Sequence, residues 1–192
     1  MKRKVEAIIF DCFGVLANDT WEAFLDNLPE ESAVENARQA RHAYDAGLIS
    51  GAEYSRRIKV ATGQLFVGVE DKGAKVAKND KLLAYIRELR RRHYKIGILS
   101  NAASNWIREE FLDIDEQALF DDFVLSYEIG MVKPEPQMFA LSAEHLHVAP
   151  SAAVLVDDKE RYCQAAQDFG MSAVLYQDVK QCRQELEKLL KD

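Results

Sequence analysis

Asp11, Ser100, Asn101, Lys133, Asp157 and Asp158 are the residues of this 192-residue chain whose types and placement could do chemistry. Asp11 follows AIIF, Ser100-Asn101 follows IGIL, Lys133 lies beyond FVLS, and Asp157-Asp158 follows AVLV. A carboxylate such as Asp11 can attack phosphorus and form an acyl phosphate, which splits one difficult hydrolysis into two easier displacements. Asp11 with Asp158 offers a hard-oxygen site suited to magnesium. The adjacent Asp157-Asp158 pair concentrates negative charge that a cation or Lys133 must compensate. Lys133 would place an ammonium where charge accumulates on a transferring group, and the Ser100 hydroxyl with the Asn101 backbone amide could donate to a non-bridging phosphate oxygen. Taken one at a time, each has a plain structural explanation, since a carboxylate or a Ser-Asn pair ending a strand often only makes a turn or caps a helix. That explanation would have to hold four times over.

The elements that must position these residues are legible as short apolar runs alternating with longer amphipathic ones, an α/β pattern. The spacing predicts strands at Val5 to Phe10, Lys95 to Leu99, Phe123 to Ser126, Ala153 to Val156 and Ser172 to Tyr176. It predicts helices at Asp80 to Arg91, Asn105 to Leu112, Pro136 to His145, Glu160 to Phe169 and Val179 to Leu190. Between about Leu16 and Lys78 the alternation breaks, and the residues carry helical periodicity only. Ser50 with Glu53 makes a capping-box pattern that opens a helix from Gly51 to Thr62, and Trp21, Phe24, Leu25 and Leu28 share one helix face. The expected architecture is a doubly wound parallel sheet built from residues 1–16 and 79–192, with a small helical lid of residues 17–78 inserted after the first strand. In such a sheet the carboxyl ends of the strands share one edge, where ligands bind.

Composition narrows the partners. A hydrophobic fraction of 48% supports a buried core, and a formal net charge of -7 repels nucleic-acid backbones. The basic run Arg90, Arg91 and Arg92 falls where a helix should end, so the helix dipole accounts for it. Cys12, Cys163 and Cys182 are odd in number and lack metal-ligand spacing, as reduced thiols would. The apolar stretch Ala7 to Phe10 is far too short for a signal peptide or membrane span, which leads to the expectation of a cytoplasmic protein acting on a small molecule. Oligomeric state leaves no mark in the linear string.

The string IIFDCFGVL resembles the first motif of haloacid-dehalogenase-like proteins, LSN the second, GMVKPEPQMF the third and VLVDDKERYCQAAQDFGM the fourth. DAGLISGAEYSRRI is similar to the small helical cap of the subgroup that inserts its lid after the first strand. The resemblance covers nearly the whole chain, with the motifs in order. It implies a magnesium-dependent phosphatase of small phosphate monoesters, sugar phosphates foremost, working through an aspartyl phosphate on Asp11. It further implies that magnesium is held by Asp11, Asp158 and the backbone carbonyl of Phe13. Asp157 would support the metal site from behind its ligands or through Lys133, without itself touching the metal, and Ser100, Asn101 and Lys133 would bind the phosphoryl group.

One residue departs from the pattern. Typical phosphatases of this family carry a second aspartate two positions after the nucleophile, where this chain has Phe13. Three readings stay open: a phosphatase with a good leaving group or a lid-borne acid, a 2-haloacid dehalogenase, and a non-catalytic binding protein. His42, Tyr44 and Asp45 are the candidate replacement acids, although a solvated helix end is the plainer explanation for them. Cys12 reads as a small buried residue beside Asp11, and Trp106 as packing.

Overall fold

Five apolar runs become the strands of a single parallel sheet. The computed structural model describes residues 4–68 and 76–191, and positions 69–75 of the expected helical insertion lie outside the described residues. Strand β1 (Ala7–Phe10) leads into helices α1 (Trp21–Asp26), α2 (Glu31–Asp45) and α3 (Gly51–Thr62), then α4 (Asp80–Arg91) and β2 (Lys95–Ser100). A π-helical turn at Ile107–Phe111, α5 (Ile114–Gln117), β3 (Asp122–Leu125) and α6 (Ser126–Ile129) follow. After α7 (Pro136–His145) and a 3-10 turn come β4 (Ala153–Asp157), α8 (Glu160–Phe169), β5 (Ser172–Leu175) and α9 (Val179–Leu190).

The sheet order is β3-β2-β1-β4-β5 and every pairing is parallel, so β1 is central and the winding reverses between β1 and β4. Alternate residues of β1 serve opposite faces, as the two-residue period of a strand requires. Ile8 and Phe10 join a core with Leu82, Ile86 and Leu89 of α4 and Leu186 of α9, whereas Ala7 and Ile9 face Met138 and Phe139 of α7 and Ala166 of α8. Both faces are thus covered, which is why the strands read as continuous apolar runs.

The strand boundaries fall within one or two residues of the expected ones, and two differences from the spacing have a clear local cause. The helix expected from Asn105 to Leu112 is only the π turn, because Leu112 is extended and Asp113 opens α5 with a reciprocal capping box to Glu116. Gln117 then satisfies the Arg108 and Leu112 carbonyls. The third strand stops at Leu125, since Ser126 begins α6 and its hydroxyl accepts from the Ala102 amide at 2.9 Å.

Helices α1 to α3 pack around a cluster of their own, built from Trp21, Leu25, Ala37, Ala40, Tyr54 and Ile58. Ser50 accepts from the Glu53 amide at the start of α3. This bundle meets the sheet edge at α6, where the Ser126 hydroxyl donates to the Asp45 carbonyl. The arginine run ends α4 as its position suggests: Arg90 pairs with Asp121 and Arg92 with Glu187. Cys12, Cys163 and Cys182 are buried and form no disulfide among the described residues, and burial pushes the Cys163 and Cys182 thiols up to about 12. Among the described residues no helix is long and apolar enough to cross a membrane.

Candidate active site

The parallel register brings the expected residues to one edge. Phe10, the last residue of β1, pairs with Ile98 of β2 and Val156 of β4, so Asp11 emerges beside Asp157, while Ser100 ends β2. The Asp11 amide continues the ladder by donating to the Val156 carbonyl at 2.9 Å. Carboxylate oxygens of Asp11, Asp157 and Asp158 all lie within 4.8 Å of one another.

Lys133 enters this cluster from the loop before α7. Its side chain is fully buried, with Nζ 3.0 Å from Asp11 Oδ1 and 2.5 Å from Asp157 Oδ2, so it is no snorkelling surface lysine. Burial alone would lower its pKa, but Asp11 and Asp157 hold the ammonium above its ordinary value. The loop is fixed by Asn101, whose side-chain oxygen accepts from the Lys133 amide at 2.7 Å and whose Nδ2 donates to the Lys133 carbonyl at 3.2 Å. Asn101 therefore sets the Lys133 backbone with its side chain as well as offering a backbone amide.

The carboxylates are not equivalent. Asp11 Oδ1 accepts from Lys133 and from the Cys12 amide at 2.7 Å, which leaves Oδ2 without a hydrogen bond among the described residues. Burial raises the Asp11 carboxyl to about 7, Lys133 opposes that rise, and Asp157 and Asp158 add to it. Asp157 is completely buried and engages both oxygens, Oδ2 with Lys133 and Oδ1 with the Lys159 amide at 2.9 Å. Asp158 is raised by burial, and its Oδ1 is a buried acceptor with no hydrogen-bond partner among the described residues. The Ser100 hydroxyl, fully buried, also lacks one among them. Orphaned buried polar atoms are rare and costly, so two of them beside one acidic cluster point to groups that arrive from outside.

Between β1 and the helical bundle the chain makes a tight loop in which the Leu16 and Ala17 amides both donate to the Cys12 carbonyl, at 2.8 and 2.9 Å. Asn79 anchors the loop by donating to the Val15 carbonyl and to Tyr176 Oη, at 2.8 and 2.7 Å. Gly14 adopts φ +88°, and a Cβ built there would sit 2.4 Å from Asp158 Oδ2. Only glycine lets the loop approach that carboxylate so closely.

The family model for haloacid dehalogenase-like hydrolase matches residues 5–170, most of the chain. The chain belongs to the haloacid dehalogenase-like hydrolase family. It is 30% identical over 118 residues to bifunctional epoxide hydrolase 2 of Rattus norvegicus, covering 58% of this chain but only 21% of that relative. It is 26% identical over 156 residues to D-ribitol-5-phosphate phosphatase of Bacteroides thetaiotaomicron, covering 76% of this chain and 75% of the relative. A HAD family enzyme of Bacteroides thetaiotaomicron crystallised with magnesium and inorganic phosphate superposes with a TM-score of 0.62 at 23% identity, over 93% of this chain and 98% of that one. That likeness shows the shared fold.

Within this family member the position two after Asp11 is filled by an aromatic ring doing a core residue's work. Phe13 is buried and stacks on Trp106 at 5.9 Å, and Trp106 stacks on Phe111 at 5.0 Å. Of the candidate replacement acids, His42 is exposed and Tyr44 stacks on Tyr54 at 4.5 Å. Asp45 is different and corrects the reading of a solvated helix end. It is buried, paired with Arg41 Nε at 2.7 Å, and lines a small cavity of about 70 Å³ together with Asp11, Phe13 and Lys133. Its burial follows from the α2–α6 contact, which no local pattern encodes.

Three neighbours went unread in the sequence. Lys159 lies 3.7 Å from Asp158 Oδ2 and also meets Asp19 and Glu22, while Tyr162 lies under the Lys133 ammonium at 5.0 Å and under the Arg161 guanidinium at 4.8 Å. Arg161 and Tyr162 lie in the first turn of α8, just past the Asp157-Asp158 pair at the end of β4, so their place at that helix start is the signal that could have found them. Gly14 gives the first sharp prediction. Gly14→Ala should displace the Asp158 carboxylate and weaken divalent-cation binding about 10- to 100-fold, which a calorimetric magnesium titration measures. Unchanged binding would mean that Asp158 is no ligand.

Proposed function

We propose that this chain is a magnesium-dependent phosphatase of small phosphate monoesters, sugar phosphates foremost, with Asp11 as the nucleophile. One observation carries the reading: among the described residues the three clustered carboxylates form ion pairs only with Lys133 and, at 3.7 Å, Lys159, and the Asp158 Oδ1 and Ser100 Oγ atoms stand buried without hydrogen-bond partners. A divalent cation and a phosphate oxygen would satisfy both. Asp11, Asp158 and the Phe13 carbonyl would hold magnesium, which when bound shields the anionic nucleophile from its anionic substrate.

The chain's own groups then have separate tasks. Asp11 Oδ2 is free to attack phosphorus because Oδ1 is held by Lys133 and the Cys12 amide. Ser100 Oγ and the Asn101 amide donate to non-bridging oxygens, and the Lys133 ammonium stabilises charge there. Asp157 keeps Lys133 aimed and charged. As Asp11 bonds to phosphorus the ester P–O bond would break and the alcohol would leave with a proton drawn from solvent; water would then cleave the aspartyl phosphate, releasing inorganic phosphate and returning Asp11.

The reading is tested by screening metabolite phosphates with magnesium, using Asp11→Asn as the blank. Turnover confined to the wild-type protein supports it, and no turnover of any ester would sink it. Phe13 specifically favours a second reading, a 2-haloacid dehalogenase, since halide displacement needs neither an acid at that position nor a metal. Halide release from a 2-haloacid in chelator would establish it. Against it stands the orphaned Asp158 oxygen, which that chemistry leaves unexplained.

The acid-base behaviour of Asp11 is a second handle. Its folded carboxyl sits at about 7 against an ordinary 3.8. The bound proton therefore stabilises the metal-free fold fully below about pH 4, and that contribution is lost as pH rises through 7. Because magnesium needs the carboxylate, its affinity should rise up to about tenfold per pH unit from pH 5 to 7 and level off above. Calorimetry in buffers of different ionisation enthalpy should detect the released proton; a pH-independent affinity would remove Asp11 from the ligand set.

Phe13→Asp separates the acid-catalysis question from packing. The ring is buried against Trp106, so its loss should cost about 3 kcal/mol or more in a urea melt. An acid at that position should raise the rate for alkyl esters relative to aryl esters, up to about a hundredfold in the ratio. An unchanged ratio would mean that the side chain at this position does not reach the leaving oxygen.

A further inference from the structure

The reaction cavity opens into a larger one of about 350 Å³ between α2 of the helical bundle and the sheet edge, and Trp21, Arg41, Asp45, Asn101, Lys133, Arg161 and Tyr162 line both. That volume suits the remainder of a small substrate beyond its phosphoryl group. Its charged lining comprises Arg38, Arg41, Lys133 and Arg161 against Glu35 and Asp45, so it carries an excess of positive charge in a chain whose net charge is -7.

Most of these cations are already engaged. Lys133 is held by Asp11 and Asp157, Arg41 by Asp45, and Arg38 by Glu22 at 3.1 Å. Arg161 is the exception: among the described residues it has no carboxylate partner. Its guanidinium is nevertheless fixed, lying 4.8 Å from the centre of the Tyr162 ring and donating from Nη2 to Tyr162 Oη at 3.1 Å. Tyr162 Oη in turn accepts from Asn101 Nδ2 at 3.3 Å, and Asn101 belongs to the phosphoryl cradle. A cation resting on Tyr162, with only Nη2 engaged there and no carboxylate on the rest of its fork among the described residues, is arranged to receive a planar anion.

Resting on the phosphatase reading, we infer that the substrate carries a second anionic group, a carboxylate or a second phosphate, which Arg161 binds at the mouth of this cavity with Arg38 facing it from α2. Sugar-acid phosphates and bisphosphates fit that description, and neutral polyol phosphates do not. Arg161 is a specificity residue that contacts the far end of the substrate, not the reacting atoms. Tyr162 positions it.

The test compares kcat/KM, with magnesium, for 3-phosphoglycerate, 1,3-propanediol bisphosphate and the neutral analogue glycerol 1-phosphate. The wild-type protein should favour at least one ester with an anionic tail over glycerol 1-phosphate by about tenfold or more, and whichever wins identifies carboxylate or phosphate as the second group. In Arg161→Ala the preference should collapse to near unity, and Arg161→Lys should keep only part of it because an ammonium lacks the bidentate fork. No preference in the wild-type protein, or a preference that survives Arg161→Ala, overturns the inference. If the wild-type protein hydrolyses none of the three, nor a chromogenic aryl phosphate, the phosphatase reading itself fails. Calorimetry on the wild-type protein with magnesium then decides separately: tighter binding of 3-phosphoglycerate or the bisphosphate than of glycerol 1-phosphate upholds the second-anion site, and equal or absent binding ends it.

Discussion

Asp11→Asn should abolish turnover, on the order of 10⁴-fold or more, and at the same time make the metal-free protein more stable at neutral to alkaline pH. The loss of rate follows because an amide cannot form the acyl phosphate. The gain in stability follows from the surroundings of the carboxyl: burial and the Asp157 and Asp158 charges hold it at about 7, so above that pH the fold carries an unfavourable charge. Asparagine keeps the shape and removes the charge, and a gain of about 1 kcal/mol would raise Tm by about 2–4 °C in a chain of this size. Calorimetric melts at pH 8 without metal measure it. The stabilisation should shrink at pH 5, where the wild-type carboxyl is already protonated, and also with saturating magnesium. A residue kept at a cost to stability is one that chemistry requires. Retained activity in Asp11→Asn would remove the nucleophile from the mechanism altogether.

Lys133→Met should be the most damaging single change to the fold. The ammonium is fully buried between Asp11 and Asp157, and deleting one partner of a buried ion pair leaves uncompensated charge, worth about 3–5 kcal/mol. The sign with pH is fixed: Lys133 holds the Asp11 carboxyl down, so without it that carboxyl shifts further above about 7, and the loss is smaller at pH 5, where Asp11 is protonated, and larger at pH 8. Urea melts at the two pH values show it. Any folded fraction should hydrolyse esters about 10²- to 10³-fold more slowly, because charge on the transferring group goes unanswered. Adding Asp157→Asn should recover part of the stability and none of the rate, separating the structural role of the lysine from its chemical one. Equal damage to stability at both pH values would mean that lost packing, not unpaired charge, is the cause.

How much of this could be seen in the string of residues depended on range. β1 and β4 declared themselves because strands buried on both faces must be continuously apolar, and α4, α7, α8 and α9 fall at the residues their periodicity marks. Asp11, Ser100 and Asp157 could be placed together because parallel pairing carries strand ends to one edge whatever the register details. The misses share a different origin. Asp45 is buried by contact with α6, some eighty positions away in sequence, and the π turn at Ile107–Phe111 exists because Asp113 and Gln117 restart the chain. Phe13 was legible as a departure from the family pattern, but its stack on Trp106 was not, since it joins loops brought together only by the sheet. Arg161 and Tyr162 sat in plain view beside the Asp157-Asp158 pair. Their roles depend on what Asn101 and Lys133 present to them across the cleft.

The Ser126 hydroxyl has reach beyond its size. It holds the carbonyl of Asp45 at the end of α2 and, on its other side, the amide of Ala102, the next residue after the Ser100-Asn101 pair. One oxygen thus fastens the last turn of α2 to the loop that follows β2. On the other side of the cleft Lys159, at the start of α8, ties down Asp19 and Glu22 at the start of α1. The bundle is moored to the sheet edge at two points that straddle the acidic cluster.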